Sequence, residues 1–145
     1  RFALESVVAR CFSFIGQDLP MRAHFAIGNF IHDALHNDNI VVTGNGNTVR
    51  SYMNQDDLAK WLFRILTIGV AGHAYNVGSD KAITISHLAD RIRDILSPEK
   101  SVIFKNKIDT LQARTIYVPD ISSAKLNLDL ELKISLEDSI AQFLT

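Results

Sequence analysis

Residues 40–50, Ile40-Val41-Val42-Thr43-Gly44-Asn45-Gly46-Asn47-Thr48-Val49-Arg50, read as a strand, a turn and the start of a second extended segment. The β-branched run from Ile40 to Thr43 favours a pleated backbone. The alternating glycines and asparagines then supply the torsional freedom that a tight turn needs. Arg50 follows in an extended segment, Val49 to Met53. A guanidinium placed there can bind phosphate oxygens as a bidentate fork; a hairpin-like turn with a solvated arginine accounts for the same spacing. The stretch is not a Walker loop, because Gly-Lys-Ser/Thr is absent. Nor is it a dinucleotide fingerprint, because the third glycine is missing and no helix follows directly.

Helices flank this stretch. Upstream, Phe25, Ile27, Phe30, Ile31, Ala34 and Leu35 recur at intervals of three and four, which predicts a helix over 25–35. Downstream, Asn54 can cap a helix with Asp56 and Asp57 in its first turn, where carboxylates suit the dipole. Leu58, Trp61, Leu62, Ile65 and Leu66 mark one apolar face of that helix, and Gly69 and Gly72 end it.

Further out, Ser6 to Ile15 reads as a mostly buried strand closed by Gly16, and Ala74 to Val77 as another closed by Gly78. Thr84 or Ser86 caps a helix with Leu88, Ala89, Ile92, Ile95 and Leu96 on its buried face, stopped by Pro98. Ser101 to Phe104 and Arg114 to Val118 read as strands. Pro119-Asp120 opens a short helix through Lys125, and Ser135 begins the last, with Asp138 in a near capping-box position. Short strands alternate with helices, with no repeat, low-complexity tract or interdomain linker. The class is α/β, as one domain over residues 1–145.

Composition excludes several functions. Of 145 residues, 47% are hydrophobic, enough for a real core and against disorder. Fifteen Lys and Arg against 16 Asp and Glu give a formal net charge of −1, so no global field holds the chain on nucleic acid or a membrane surface. No apolar run approaches the ~20 residues of a membrane span, and the first residues lack the apolar core of a signal peptide. A single cysteine, Cys11, excludes an internal disulfide and fits a reducing compartment. The expectation is a soluble, intracellular, cytoplasmic chain.

Other constellations are weaker. His32 and His36 share a helical face at metal-ligand spacing, but the zincin glutamate is absent, and two surface histidines explain the spacing. Cys11 among apolar neighbours reads as a buried, inert thiol. Asp56 and Asp57 are adjacent and so face apart on a helix. Trp61 is most simply core. Arg114 could be a second phosphate ligand or a solvated side chain. No serine stands in a Gly-x-Ser-x-Gly elbow.

The order of the pieces says more than any one of them. Ala9-Arg10-Cys11-Phe12-Ser13-Phe14-Ile15-Gly16 is followed by Ile40 to Gly46, Val49-Arg50-Ser51-Tyr52 and Asp57-Leu58-Ala59. Then come Tyr75-Asn76-Val77-Gly78-Ser79, Ile85-Ser86-His87-Leu88-Ala89, Tyr117-Val118-Pro119-Asp120 and Ser123-Ala124-Lys125-Leu126. This series resembles the C-terminal, substrate-binding half of the NAD-dependent sugar-nucleotide epimerase/dehydratase family, the extended short-chain dehydrogenases. The resemblance covers nearly the whole chain.

In that family an N-terminal Rossmann half carries Gly-x-x-Gly-x-x-Gly for the dinucleotide and Tyr-x-x-x-Lys for catalysis. Neither occurs here: Tyr52, Tyr75 and Tyr117 are followed four residues on by Asp56, Ser79 and Ile121. The resemblance therefore implies a nucleotide-sugar binding part that is not catalytic alone. NAD or NADP would belong to the complete enzyme, with none expected on this chain by itself. The partners implied are a nucleoside-diphosphate sugar, the absent Rossmann domain, whose sheet the Ser6 to Ile15 strand would join, and a second copy in a homodimer of the full enzyme. No nucleic acid or membrane is implied. The family's chemistry is transient oxidation of the hexose, which permits epimerisation or loss of water before hydride returns.

By position, Arg50 matches the family arginine that grips the diphosphate, and Arg114 a later arginine that does so from the other side. Val42 and Thr43 match the strand along the base, Ala26 and Ile27 the helix start that lends backbone groups to the nucleotide, and Asn76 an asparagine near phosphates or ribose. Phe12 and Ser13 match residues that pass the nicotinamide and the sugar. Ser13 stands where the family often has Asn, Gln17 where it has Pro, and Asn45 where it has Asp. Two alternatives stay open: a stand-alone, non-catalytic nucleotide-sugar binding or regulatory module, and an inactive truncated product.

Overall fold

The computed structural model describes residues 4–21, 23, 25–106 and 115–144. Its strands are short and lie in small pairings. β1 (Val8–Cys11) runs parallel to β6 (Ala74–Val77), and β2 (Phe14–Ile15) parallel to β5 (Met53–Asn54). β3 (Asn39–Val42) runs parallel to β8 (Ser101–Phe104). β4 (Val49–Arg50) lies between β7 (Ile83–Thr84), antiparallel to it, and β9 (Ile116–Tyr117), parallel to it.

Helices α1 (Ala26–His36), α2 (Gln55–Ile68) and α3 (Ile85–Leu96) fall where the apolar periodicity predicts them, and α4 (Ser122–Leu128) and α5 (Leu136–Ala141) follow. Their starts answer to side chains. Asn54 accepts from the Asp56 N–H, Thr84 from the His87 N–H, and Ser135 from the Asp138 N–H. Of the two cap residues left open for α3, the cap is therefore Thr84.

Two apolar cores flank the β2–β5 pair. One packs α1 and α3 on β3 through Ile27, Phe30, Ile31, Ile40, Leu88 and Ile92. The other packs α2 and α4 on β6 through Trp61, Ile65, Tyr75, Val77, Ala124 and Leu128. Strand alternation sends Ile15 into the first and Phe14 toward the second, so this short pair ties the halves together.

Three expectations need correction. The buried strand over Ser6 to Ile15 is two strands, broken at Phe12-Ser13, and β1 is largely exposed. Cys11 is accordingly exposed, not buried; among the described residues β1 pairs only with β6, and no second layer covers its outer face. The buried face of α2 is Asp57, Trp61 and Ile65, while Leu66 is 76% exposed and Leu62 lies at the rim. The helix is rotated because its polar side chains hold the segment before α5. Buried Asp57 accepts the Lys133 and Ile134 N–H groups through Oδ2 at 2.8 and 3.0 Å. Trp61 Nε1 donates to the Glu131 carbonyl at 3.0 Å, and Arg64 Nε to the Leu128 carbonyl at 3.1 Å.

Candidate functional site

At the seam between the cores lies a cleft of about 640 Å³. Phe12 and Ser13 reach it from the break between β1 and β2, and Phe25, Ala26 and Ile27 from the start of α1. Arg50 enters from β4 and Tyr117 from β9. Thr48, Arg50 and Tyr52 all line it because an extended chain puts alternate residues on one side.

The cleft suits an anion. Arg50 lines it, and among the described residues no carboxylate does. The N-terminus of α1 opens into it with no side-chain cap at Phe25 and no acidic residue in the first turn. The leading N–H groups of a helix carry its positive pole, so they add to the field of the guanidinium. The neighbouring helices differ. Asn54 caps α2, and Asp56 and Asp57 sit in its first turn. The leading donors of α3 are consumed: Ile85 N–H donates to the Thr48 carbonyl, Ser86 N–H to the Gly46 carbonyl and His87 N–H to Thr84 Oγ1. The glycine turn is thus bound onto α3, and it does not form a dinucleotide cradle at that helix start.

Aromatic rings form another part of the wall. Phe12 and Tyr117 approach with centroids 4.7 Å apart and planes tilted by 31°. The Arg50 guanidinium carbon lies 5.5 Å over the Tyr117 ring, and Arg50 Nη1 donates to the Val49 carbonyl at 3.0 Å. Burial pushes the Tyr52 phenol up to about 12, partly offset by the positive charge of Arg50. Tyr52 therefore keeps its proton in the neutral range, opposite to what a tyrosinate base requires.

A larger cavity of about 880 Å³ lies across Tyr52. Its charges compensate: Lys81, Arg91 and Lys133 face Asp90, Asp94 and Glu137, with Arg91 3.8 Å from Glu137 and Lys133 paired with Glu131. It offers no sign preference, and the smaller cleft is the better candidate.

Of the residues singled out in the sequence, Phe12, Ser13, Ala26, Ile27 and Arg50 line this cleft. Val42 does not; its side chain is core, and its carbonyl accepts the Lys105 N–H. Thr43 is exposed beyond β3, its carbonyl accepting Asn106 Nδ2 at 2.9 Å. Asn76 Nδ2 donates to the Asp120 carbonyl at 2.8 Å, away from the cleft. Arg114 lies outside the described residues. His32 and His36 sit with rings 4.9 Å apart, and no metal-binding group of three or more His, Cys, Asp or Glu exists among the described residues. No described helix is long and apolar enough to cross a membrane.

Reading the sequence missed Thr48, Tyr52 and Tyr117 as site residues. The first two carried a signal, since they alternate with Arg50. Tyr117 is placed by its strand partner 67 positions earlier in the chain, Arg50, and no local pattern shows that.

Residues 1–78 match the family model described as NAD dependent epimerase/dehydratase family. A UDP-glucuronic acid decarboxylase of Arabidopsis thaliana is 27% identical over 143 residues, covering 98% of this chain and 32% of that protein. Among solved structures, a UDP-glucose 4-epimerase of Thermotoga maritima with UDP-glucose matches with a TM-score of 0.84 at 22% identity, covering 97% of this chain and 45% of that one. A dTDP-glucose 4,6-dehydratase of Streptomyces venezuelae with NAD matches with a TM-score of 0.77 at 21% identity, covering 97% and 43%. The chain thus spans about a third of that curated relative and under half of either solved protein.

Proposed function

This chain belongs to the NAD dependent epimerase/dehydratase family, and from that membership we propose that residues 1–145 are the part of such an enzyme that grips a nucleoside-diphosphate sugar. The observation that carries the reading is the convergence of Arg50, the uncapped start of α1 and an aromatic wall in one cleft that no carboxylate among the described residues lines. A diphosphate is a compact polyanion, and each of these features complements one of its needs: a bidentate cation, oriented N–H donors and flat apolar faces beside them. The relatives support the ligand class, since their names are those of enzymes acting on nucleotide sugars.

In this reading the chain's contribution is orientation. Arg50 and the α1 N-terminus fix the diphosphate, Ser13 lies where the sugar passes and Phe12 where the nicotinamide does, and the remote grip sets the reacting carbon in place. The dinucleotide and the tyrosine base are supplied by residues outside this chain. Two observations support that division: the glycine turn is spent on α3, and Tyr52 is held protonated.

The test is Arg50→Ala in the complete natural gene product. Losing charge-assisted bonds worth ~1.5–3 kcal/mol raises KM for the nucleotide sugar roughly 10- to 150-fold and leaves cofactor affinity nearly intact. Unchanged substrate kinetics would remove Arg50 from the role. The alternative reading of the same cleft is a stand-alone binding module. The intact mass of the natural product in its source cells separates the two: a mass well above 16.2 kDa supports the enzyme, and a mass at that value supports the module.

A further inference from the structure

We infer that Tyr117 is the positioning residue for Arg50, an assignment that rests on the diphosphate reading of the cleft. A long arginine side chain loses rotamer freedom when it grips a ligand, and that loss opposes binding unless the side chain is ordered beforehand. The structure holds it in advance. Arg50 and Tyr117 are register partners on parallel strands, so the pairing of β4 with β9 sets the two side chains beside each other. The guanidinium carbon rests 5.5 Å from the ring centroid, within range of the attraction between a cation and the face of an aromatic ring.

Tyr117 is itself braced. The Phe12 ring lies 4.7 Å from it. Phe12 is fixed in turn, because its N–H donates to the Val77 carbonyl at 3.0 Å and its Cβ packs on Gly78. A methyl group added at Gly78 would lie 3.1 Å from Phe12 Cβ and 3.0 Å from Pro119 Cγ. The missing side chain thus lets Phe12 and the segment carrying Tyr117 close on the end of β6. A ladder of contacts runs from Gly78 through Phe12 and Tyr117 to the guanidinium. Tyr117 is 46% exposed, and nothing among the described residues engages its hydroxyl, so the ring is the working part.

The experiment measures affinity by calorimetry in the complete natural gene product, with the tightest binder among UDP, dTDP, CDP and GDP as probe. Tyr117→Leu and Tyr117→Thr, both compatible with a strand, weaken binding about 2- to 5-fold, the factor an exposed cation–ring contact supplies. Tyr117→Phe and Tyr117→Trp retain it. In an Arg50→Gln background, where no cation remains to be held, Tyr117→Leu has no further effect. In turnover, Tyr117→Leu raises KM with kcat unchanged.

Each other result overturns the assignment. An equal loss in the Arg50→Gln background means that Tyr117 touches the ligand directly. Full affinity in both Tyr117→Leu and Tyr117→Thr, with affinity lost in Arg50→Gln, means that Arg50 needs no positioning; the diphosphate reading then stands alone. If none of the four diphosphates binds the unmodified protein, both fall together.

Discussion

Gly44 and Gly46 stand two residues apart in one turn and answer to different physics. A methyl group at Gly44 would meet nothing within 4 Å. At Gly46, φ is 72° and a methyl group would lie 3.0 Å from both Ser86 Cβ and the Phe104 ring. Gly46→Ala therefore meets a left-handed backbone and a packed neighbour at once, and we predict a loss of ~1–3 kcal/mol in chemical denaturation. Gly44→Ala should leave stability within about 1 kcal/mol of the parent, since it reduces the freedom of the unfolded chain without a clash. Equal losses at the two positions would contradict the geometry. The turn was legible as a turn because its composition is local. Which glycine is obligatory was not, because the reason lies in Ser86 and Phe104, distant in sequence.

Among the elements, α2 shows how polar groups can overrule an apolar stripe. Asp57, Trp61 and Arg64 recur at helical spacing and hold the backbone between Leu128 and Ile134. Asp57→Ala strips two part-buried N–H groups of their carboxylate acceptor. Bonds of that kind are worth ~1.5–3 kcal/mol, so a loss of about 3 kcal/mol is expected, against a few tenths for exposed Asp56→Ala. Hydrogen exchange gives the local check: the Lys133 and Ile134 amides lose protection before the rest of the fold. Uniform protection at those amides would mean that Asp57 does not hold the segment.

The same helix marks where sequence reading stops. Caps at Asn54 and Ser135, the α3 cap as either Thr84 or Ser86, and the strands at 74–77 and 101–104 could be read because a few neighbouring residues decide them. The rotation of α2, the break at Phe12-Ser13 and the exposure of Cys11 depend on which layers cover them, which only tertiary structure decides. The candidate site divides in the same way. Arg50 and the helix start at Ala26 were visible locally, whereas Tyr117 enters through a strand pairing.

At the scale of the whole molecule, apolar surface is unevenly placed. Both cores are closed, yet Phe63 is 69% exposed, and Leu66, Ile68 and Val70 are also exposed near the end of α2. That end is tied to the start of β1: the Gly72 N–H donates to the Ser6 carbonyl at 2.7 Å and the Val8 N–H to the His73 carbonyl at 2.9 Å. Exposed Val8 therefore belongs to the same end, beside a strand that pairs, among the described residues, on one edge only. Apolar groups crowded beside an open strand edge favour association, because the edge offers unpaired N–H and C=O groups and the side chains release water on contact. We predict that the 145-residue chain on its own self-associates and binds a hydrophobic dye, more strongly as salt screens its charges. Leu66→Glu with Val70→Lys should suppress both without lowering stability, since neither side chain belongs to a core. Sedimentation and dye fluorescence read the outcome. A chain that stays monomeric and dark to the dye would show that this end tolerates water, and the case for a covering domain would lose its physical ground.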